Sequence, residues 1–161
     1  MSNFTQAMKF ISKWEWMDRA DGAYTNDPKD PGGETKFGIS KRANPQMDIY
    51  NLTLPAALNI YYVDYWQKWQ LDSLEFPFSV AVFDCYVQHR PSVVQGWLKT
   101  CKDLQPLLET RRIFYLNLIG KDPSLLRFKN GWLARLNDLS KYVAILSQES
   151  QMLPKALNEG V

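Results

Sequence analysis

The sequence predicts a mainly α protein whose unusual chemistry is gathered into one irregular loop. Three observations lead there. Apolar residues recur at helical spacing, first as Phe4, Ala7, Met8, Ile11 and Trp14. Residues 76–90, FPFSVAVFDCYVQHR, begin apolar on nearly every side, the pattern of a helix enclosed by others. After about Met17, by contrast, Gly22, Pro28, Pro31, Gly32 and Gly33 break any helix and dictate a folded loop, with room for a short hairpin, through about Phe37.

The elements follow in order. Asn3 and Gln6 are spaced as a capping box for the first helix. Glu15 lies four residues beyond Ile11, so this carboxylate falls on the helix's apolar stripe. A charge there is either buried with a partner or set at the rim of a cleft. Thr53 caps the next helix, with Leu54, Ala57, Leu58, Tyr61, Tyr62, Tyr65 and Trp69 on its buried face. Pro91 stops the apolar helix, and another carries Val93, Val94, Trp97, Leu98 and Cys101. Pro106 can open a helix that Gly120 ends. A further helix starts at Asp122–Ser124 and carries Leu125, Leu126, Phe128, Trp132, Leu136 and Leu139. A last helical stretch runs to about Leu146, followed by a polar tail.

At 161 residues the chain suits one domain, 1–161, with residues 1–75 forming a motif-bearing half and 76–150 a helical half packed on it. Six Trp, eight Tyr and eight Phe read first as a core of large rings, and alternatively as including walls of a groove, where flat rings stack on sugars or bases. A net charge of +2 without a basic cluster disfavours a nucleic-acid partner. Cys85 and Cys101 read as ordinary buried thiols, and the single histidine, His89, cannot build a multi-histidine metal centre. No metal or cofactor is expected. No segment reaches the ~18 apolar residues of a membrane span, and the N-terminus lacks a secretory signal pattern, so synthesis in the cytosol without membrane insertion is expected.

The stretch GAYTNDPKDPGGETKFGISKRANP, residues 22–45, resembles the signature of glycoside hydrolase family 108, the phage and bacterial N-acetylmuramidases, usually EGGY-x-NDP-x-DPGG-x-TK-x-GIS. NLTLPAALNIYYVDYW is similar to the family's next helix, DCYVQHRPSVVQGWL to the buried helix opening its second, peptidoglycan-binding-type half, and FKNGWLARLN to its closing element. The resemblance implies a lysozyme-like helical domain and a peptidoglycan hydrolase that cleaves the β-1,4 bond between N-acetylmuramic acid and N-acetylglucosamine. It further implies a phage endolysin, made in the host cytoplasm as a monomer and reaching the cell wall after holin-dependent release. Its partners are then peptidoglycan glycan strands.

The pattern departs from the family at the acid. Asp21 stands where the signature has glutamate before Gly-Gly-Tyr, whereas alignment of the first helix selects Glu15 and makes WMDRAD an insertion. A general acid working near neutral pH needs partial burial. Glu15, between Trp14 and Trp16 at the end of a helix, suits that role, and Asp21 in a polar loop is the second choice. By resemblance, Asp30 and Thr35 complete a Glu-Asp-Thr set that places water or stabilises developing charge. Without the resemblance Asp30 reads as a turn-forming residue. Carboxyl groups ~6.5–9.5 Å apart would give inversion and ~5 Å retention. Tyr24, Phe37, Tyr65 and Trp66 are candidate groove walls, and each suits the core equally well. Asp84 and Gln88, one turn apart, suit either a cleft floor or satisfied buried polar groups. A catalytically degenerate homologue that only binds peptidoglycan or a protein partner is the alternative.

Overall fold

The computed structural model describes residues 2–27 and 33–152, so Asp30, Gly32, Pro28 and Pro31 of the motif lie outside the described residues. The chain forms two compact units, one ending at Ser73 and one beginning at Leu74.

In the first unit, α1 spans Asn3–Glu15 and buries Ala7, Met8, Phe10 and Ile11. Its cap is Ser2, one residue ahead of the expected Asn3: the Ser2 hydroxyl accepts the Thr5 N–H at 3.2 Å. Beyond α1 the chain reverses through Met17 and Asp18, both in the left-handed region at φ 51° and 53°. It then reaches a two-stranded antiparallel hairpin, β1 (Thr35–Lys36) and β2 (Ile39–Ser40), in the register Thr35↔Ser40. The hairpin runs past the expected end of the loop at Phe37. Phe37 and Gly38 form its two-residue turn at φ 52° and 73°, a type I′ turn whose twist matches that of the strands. A bridge from Thr25 to Thr35 ties the start of the loop to the hairpin.

Helix α2 (Leu54–Ile60) is capped by Thr53, and its chain continues as a π-helix over Tyr61–Gln67. This changes which rings face inward. Spacing of 3.6 residues pointed to Tyr61, Tyr65 and Trp69; hydrogen bonds from i to i+5 instead bring residues five apart to one side. Tyr61 and Trp66 are accordingly 1% and 0% exposed. Trp66 packs edge-on against Phe4 at 5.7 Å, which makes it core and corrects its expected place on a groove wall.

In the second unit, α3 (Phe78–Gln88) is buried without interruption from Ser79 to Tyr86 and packs against α4 (Pro91–Leu98) and α6 (Lys129–Met152). Pro91 both ends α3 and opens α4, its missing N–H falling where no helical partner exists. Helix α5 (Leu104–Lys121) begins two residues before Pro106 and runs through Gly120, which does not end it. Residues Pro123–Phe128 form a 3₁₀ segment, with Asp122 accepting the Ser124 N–H at 3.0 Å, so the expected helix from 122 is this turn followed by one long α6. Arg135, Leu136, Leu139, Val143 and Leu146 form the buried stripe of α6, whereas Leu126 and Phe128 are exposed. Both cysteines are free and buried, and burial pushes the Cys85 thiol up to about 12.

Candidate active site

Glu15 is the last residue of α1 and half-buried. The hairpin turn lies against it. A Cβ placed on Gly38 would stand 3.0 Å from the Glu15 Cβ, 3.2 Å from its Oε2 and 2.5 Å from the Tyr61 hydroxyl. Only a glycine can bring backbone this close to the carboxylate, and only a glycine takes φ 73° without strain. The turn is held from behind, because the Tyr61 hydroxyl donates to the Phe37 carbonyl at 3.0 Å. Tyr65 stacks obliquely on Tyr61 at 5.7 Å. Its phenol is raised above the ordinary tyrosine value by burial first, then by the charges of Asp64 and Glu15. Tyr65 therefore stays an O–H donor within the field of Glu15.

Thr35 occupies β1 of the same hairpin, where its hydroxyl donates to the Gly33 carbonyl at 3.1 Å. Phe37 is not a groove wall in the sense expected. It is 3% exposed, meets Trp16 edge-on at 5.6 Å, and covers Gly22, where a Cβ would fall 2.7 Å from the ring. This packing stabilises a bulky residue at positive φ, a conformation that costs on the order of 1–3 kcal/mol.

Beside the turn opens a cleft of about 520 Å³. Tyr24 and Tyr50 wall it with their rings edge to face at 5.5 Å, Phe37 contributes to its floor, and Asp21 and Lys36 stand at its edge. Tyr24 donates to Glu34 at 2.8 Å, and Lys36 Nζ donates to the Tyr50 carbonyl at 2.8 Å. Asp21 is a different carboxylate from Glu15: its side chain is 55% exposed, and it accepts from Arg19 Nε and from the Ala23 N–H, each at 3.0 Å. The hydrogen bonds from Arg19 and then Ala23 hold it below the usual aspartate range. Such a group stays ionised and cannot carry a proton at neutral pH. Gln88 belongs to the second unit, at the end of α3.

Nothing in local sequence pattern marks Tyr61 and Tyr50 as neighbours of the site. The Gly-Ile-Ser triplet was a signal for Gly38, since a turn with two positive φ angles calls for glycine. Tyr61 read only as a residue on a helix face. Among the described residues no cluster of His, Cys, Asp or Glu could hold a metal, and no helix is long and apolar enough to cross a membrane.

Asp84 proves to be a structural group. It is fully buried and paired with Arg111 Nη1 at 2.7 Å and with Arg135 Nε at 3.0 Å. The network reaches His89, which burial and then Arg111 hold down to about 3. Below the unfolded value of about 6.5 the unfolded chain binds a proton that the folded one refuses. Stability is therefore expected to fall as pH drops from about 6.5 toward 3, by up to about 1.4 kcal/mol per pH unit from this residue. Urea titrations at several pH values, with His89→Gln showing a shallower slope, check this.

A second expectation arises at the turn. Gly38→Ala sets a methyl into the Tyr61 hydroxyl and the Glu15 side chain. It should lower turnover on the order of 100-fold through displaced groups, and stability by about 1–3 kcal/mol. Rate and urea midpoint measured on the same preparation check both.

Residues 11–89 match the family described as Glycosyl hydrolase 108. The fold is similar to the solved structure of Brucella abortus SagA, with a TM-score of 0.65 and 20% sequence identity, covering 92% of this chain and 98% of that one. None of the curated proteins matches the chain. The fold is thus a lysozyme-like, mainly helical one carrying a hairpin. The part of the chain that matches the glycosyl hydrolase 108 family, residues 11–89, is the segment that holds Glu15, the hairpin and the cleft.

Proposed function

We propose that this glycosidase is a muramidase, cleaving the β-1,4 bond between N-acetylmuramic acid and N-acetylglucosamine, with Glu15 as the general acid. One observation carries this reading: the family's motif hairpin is packed against Glu15, at Gly38, rather than presenting Asp21 as its acid. Glu15 would give its proton to the glycosidic oxygen as the bond to the sugar's anomeric carbon breaks. Water then adds to that carbon, and Thr35 with Asp30 would place it or stabilise the developing positive charge. Tyr24 and Tyr50 offer faces for the glycan. The biological setting that fits is a phage endolysin, made in the host cytoplasm and acting on the wall after holin-dependent release.

The test is digestion of purified peptidoglycan followed by borohydride reduction and mass spectrometry. New reduced ends should be muramic acid. Reduced glucosamine ends would indicate the neighbouring bond instead, and no new ends on several wall types would favour a binding-only homologue. In the same assay Asp21→Asn should retain the rate within a few-fold, since Asp21 is exposed and already committed to Arg19.

A further inference from the structure

The first unit holds a further pocket, about 350 Å³ in volume, which shares Ala20, Phe37 and Leu54 with the tyrosine cleft. Its size falls within the range of small-molecule sites. Met8 and Trp16 give it an apolar floor and Leu58 an apolar wall. Three charged side chains line it: Lys9 from α1, and Asp18 and Arg19 from the turn that follows α1.

That turn is a fixed wall. Met17 and Asp18 are left-handed, a conformation that non-glycine residues hold only where their surroundings enforce it. Hydrogen bonds do so here. The Asp18 N–H donates to the Ser12 carbonyl at 3.3 Å, the Arg19 N–H to the Trp16 carbonyl at 3.0 Å, and the Gly22 N–H to the Arg19 carbonyl at 2.9 Å. Arg19 commits Nε and Nη2 to Asp21, which leaves Nη1 without a partner among the described residues. The Lys9 ammonium and the Asp18 carboxylate likewise make no hydrogen bond or ion pair among the described residues. With Glu15 as the acid, residues 16–21 are inserted relative to the family signature. The signature therefore supplies neither this wall nor the charges of Asp18 and Arg19.

A ligand that matches the pocket carries carboxylates for Lys9 and Arg19, an ammonium for Asp18 and small apolar groups for the floor. A neutral N-acetylated sugar has none of these charges. A short acidic peptide containing a diamino acid has all of them. Peptidoglycan bears such a peptide on the lactyl group of its muramic acid, with alanines flanking an acidic residue and a diamino acid. We infer that this pocket is a stem-peptide site: Lys9 and Arg19 pair with carboxylates of the peptide on a muramic acid held in the neighbouring cleft, and Asp18 pairs with the ammonium of its diamino acid. The choice of ligand rests on the muramidase reading; the charge pattern of the pocket does not. The site gives the chain a preference for strands that still bear peptides. Contacts this far from the breaking bond are the same in ground and transition states, so they lower KM and leave kcat unchanged.

The test compares soluble, uncross-linked glycan strands bearing tetrapeptide stems with the same strands stripped of peptide by an amidase. The full chain should cleave the stem-bearing strands with a KM about three- to tenfold lower and an equal kcat. Lys9→Gln should raise KM on stem-bearing strands about two- to fivefold and leave stripped strands unaffected, because Lys9 is exposed and has no partner to lose. Lys9→Glu, which reverses the charge, should raise it further. In a proton–nitrogen NMR titration, the free tetrapeptide should move the Lys9 and Ala20 amide signals saturably. Equal KM on the two kinds of strand, a wild-type KM in Lys9→Gln, or unmoved signals at tens of millimolar peptide would overturn the inference and leave the muramidase reading intact. Saturable shifts in a protein that cleaves neither strand would keep the peptide site and sink the muramidase reading alone.

Discussion

Glu15→Gln is expected to lower the rate of peptidoglycan cleavage by about 10²–10⁴-fold, the range for loss of a general acid. The substitution preserves shape at the point where α1 meets the turn, so neither the packing of Gly38 nor the helix should change. What it removes is the transferable proton. Glu15→Asp is the complementary variant: the acid remains, but its carboxyl is drawn back by roughly 1.5 Å. Misplacement on that scale costs on the order of 100-fold, so this variant should also be slow. Turnover of purified walls with matched urea midpoints is the measurement. A Glu15→Gln protein that keeps wild-type rate would remove Glu15 from the mechanism and return attention to Asp21.

Asp84→Asn is expected to destabilise the second unit by about 3–5 kcal/mol, the usual result of removing one partner from a buried ionic cluster. Arg111 and Arg135 would both lose their countercharge, and the Arg111 side chain is 0% exposed. Against a total stability of about 5–15 kcal/mol, that is enough to unfold much of the population. The pH dependence follows from the same cluster. Burial pushes the Asp84 carboxyl up, but the two guanidinium groups outweigh burial and hold it below its ordinary value. A depressed folded value means the stabilisation is complete above the unfolded value of about 3.9 and is lost as pH falls below it. Acid unfolding should thus steepen below about pH 4, after the earlier decline due to His89. A urea midpoint for Asp84→Asn close to wild type would show that the arginines find other partners.

Some of this is legible in the sequence. The enclosure of α3 could be read from residues 78–86 because apolar side chains on every face leave a helix no exposed side. The placement of Glu15 could be read from its spacing to Ile11, since a helix turns by a fixed angle per residue. The π-helix could not be read. Tyr61–Gln67 satisfies α spacing equally well, and the extra residue per turn becomes favourable only when Tyr61 and Trp66 both find apolar neighbours. From sequence alone Asp84 suits either a cleft floor or a buried polar group, because its partners lie 27 and 51 residues away.

The sequence by itself determined a mainly α chain, a loop that glycine and proline keep out of helix, and an acid on the buried stripe of the first helix. These depend on local geometry, which neighbouring residues impose on each other. Only the tertiary structure decided that Gly38 and Tyr61 shape the surroundings of Glu15, that Phe37 and Trp66 belong to the core, and that Asp84 is held by Arg111 and Arg135. Each of these depends on a contact between distant segments, and no local propensity encodes which donor will find which acceptor.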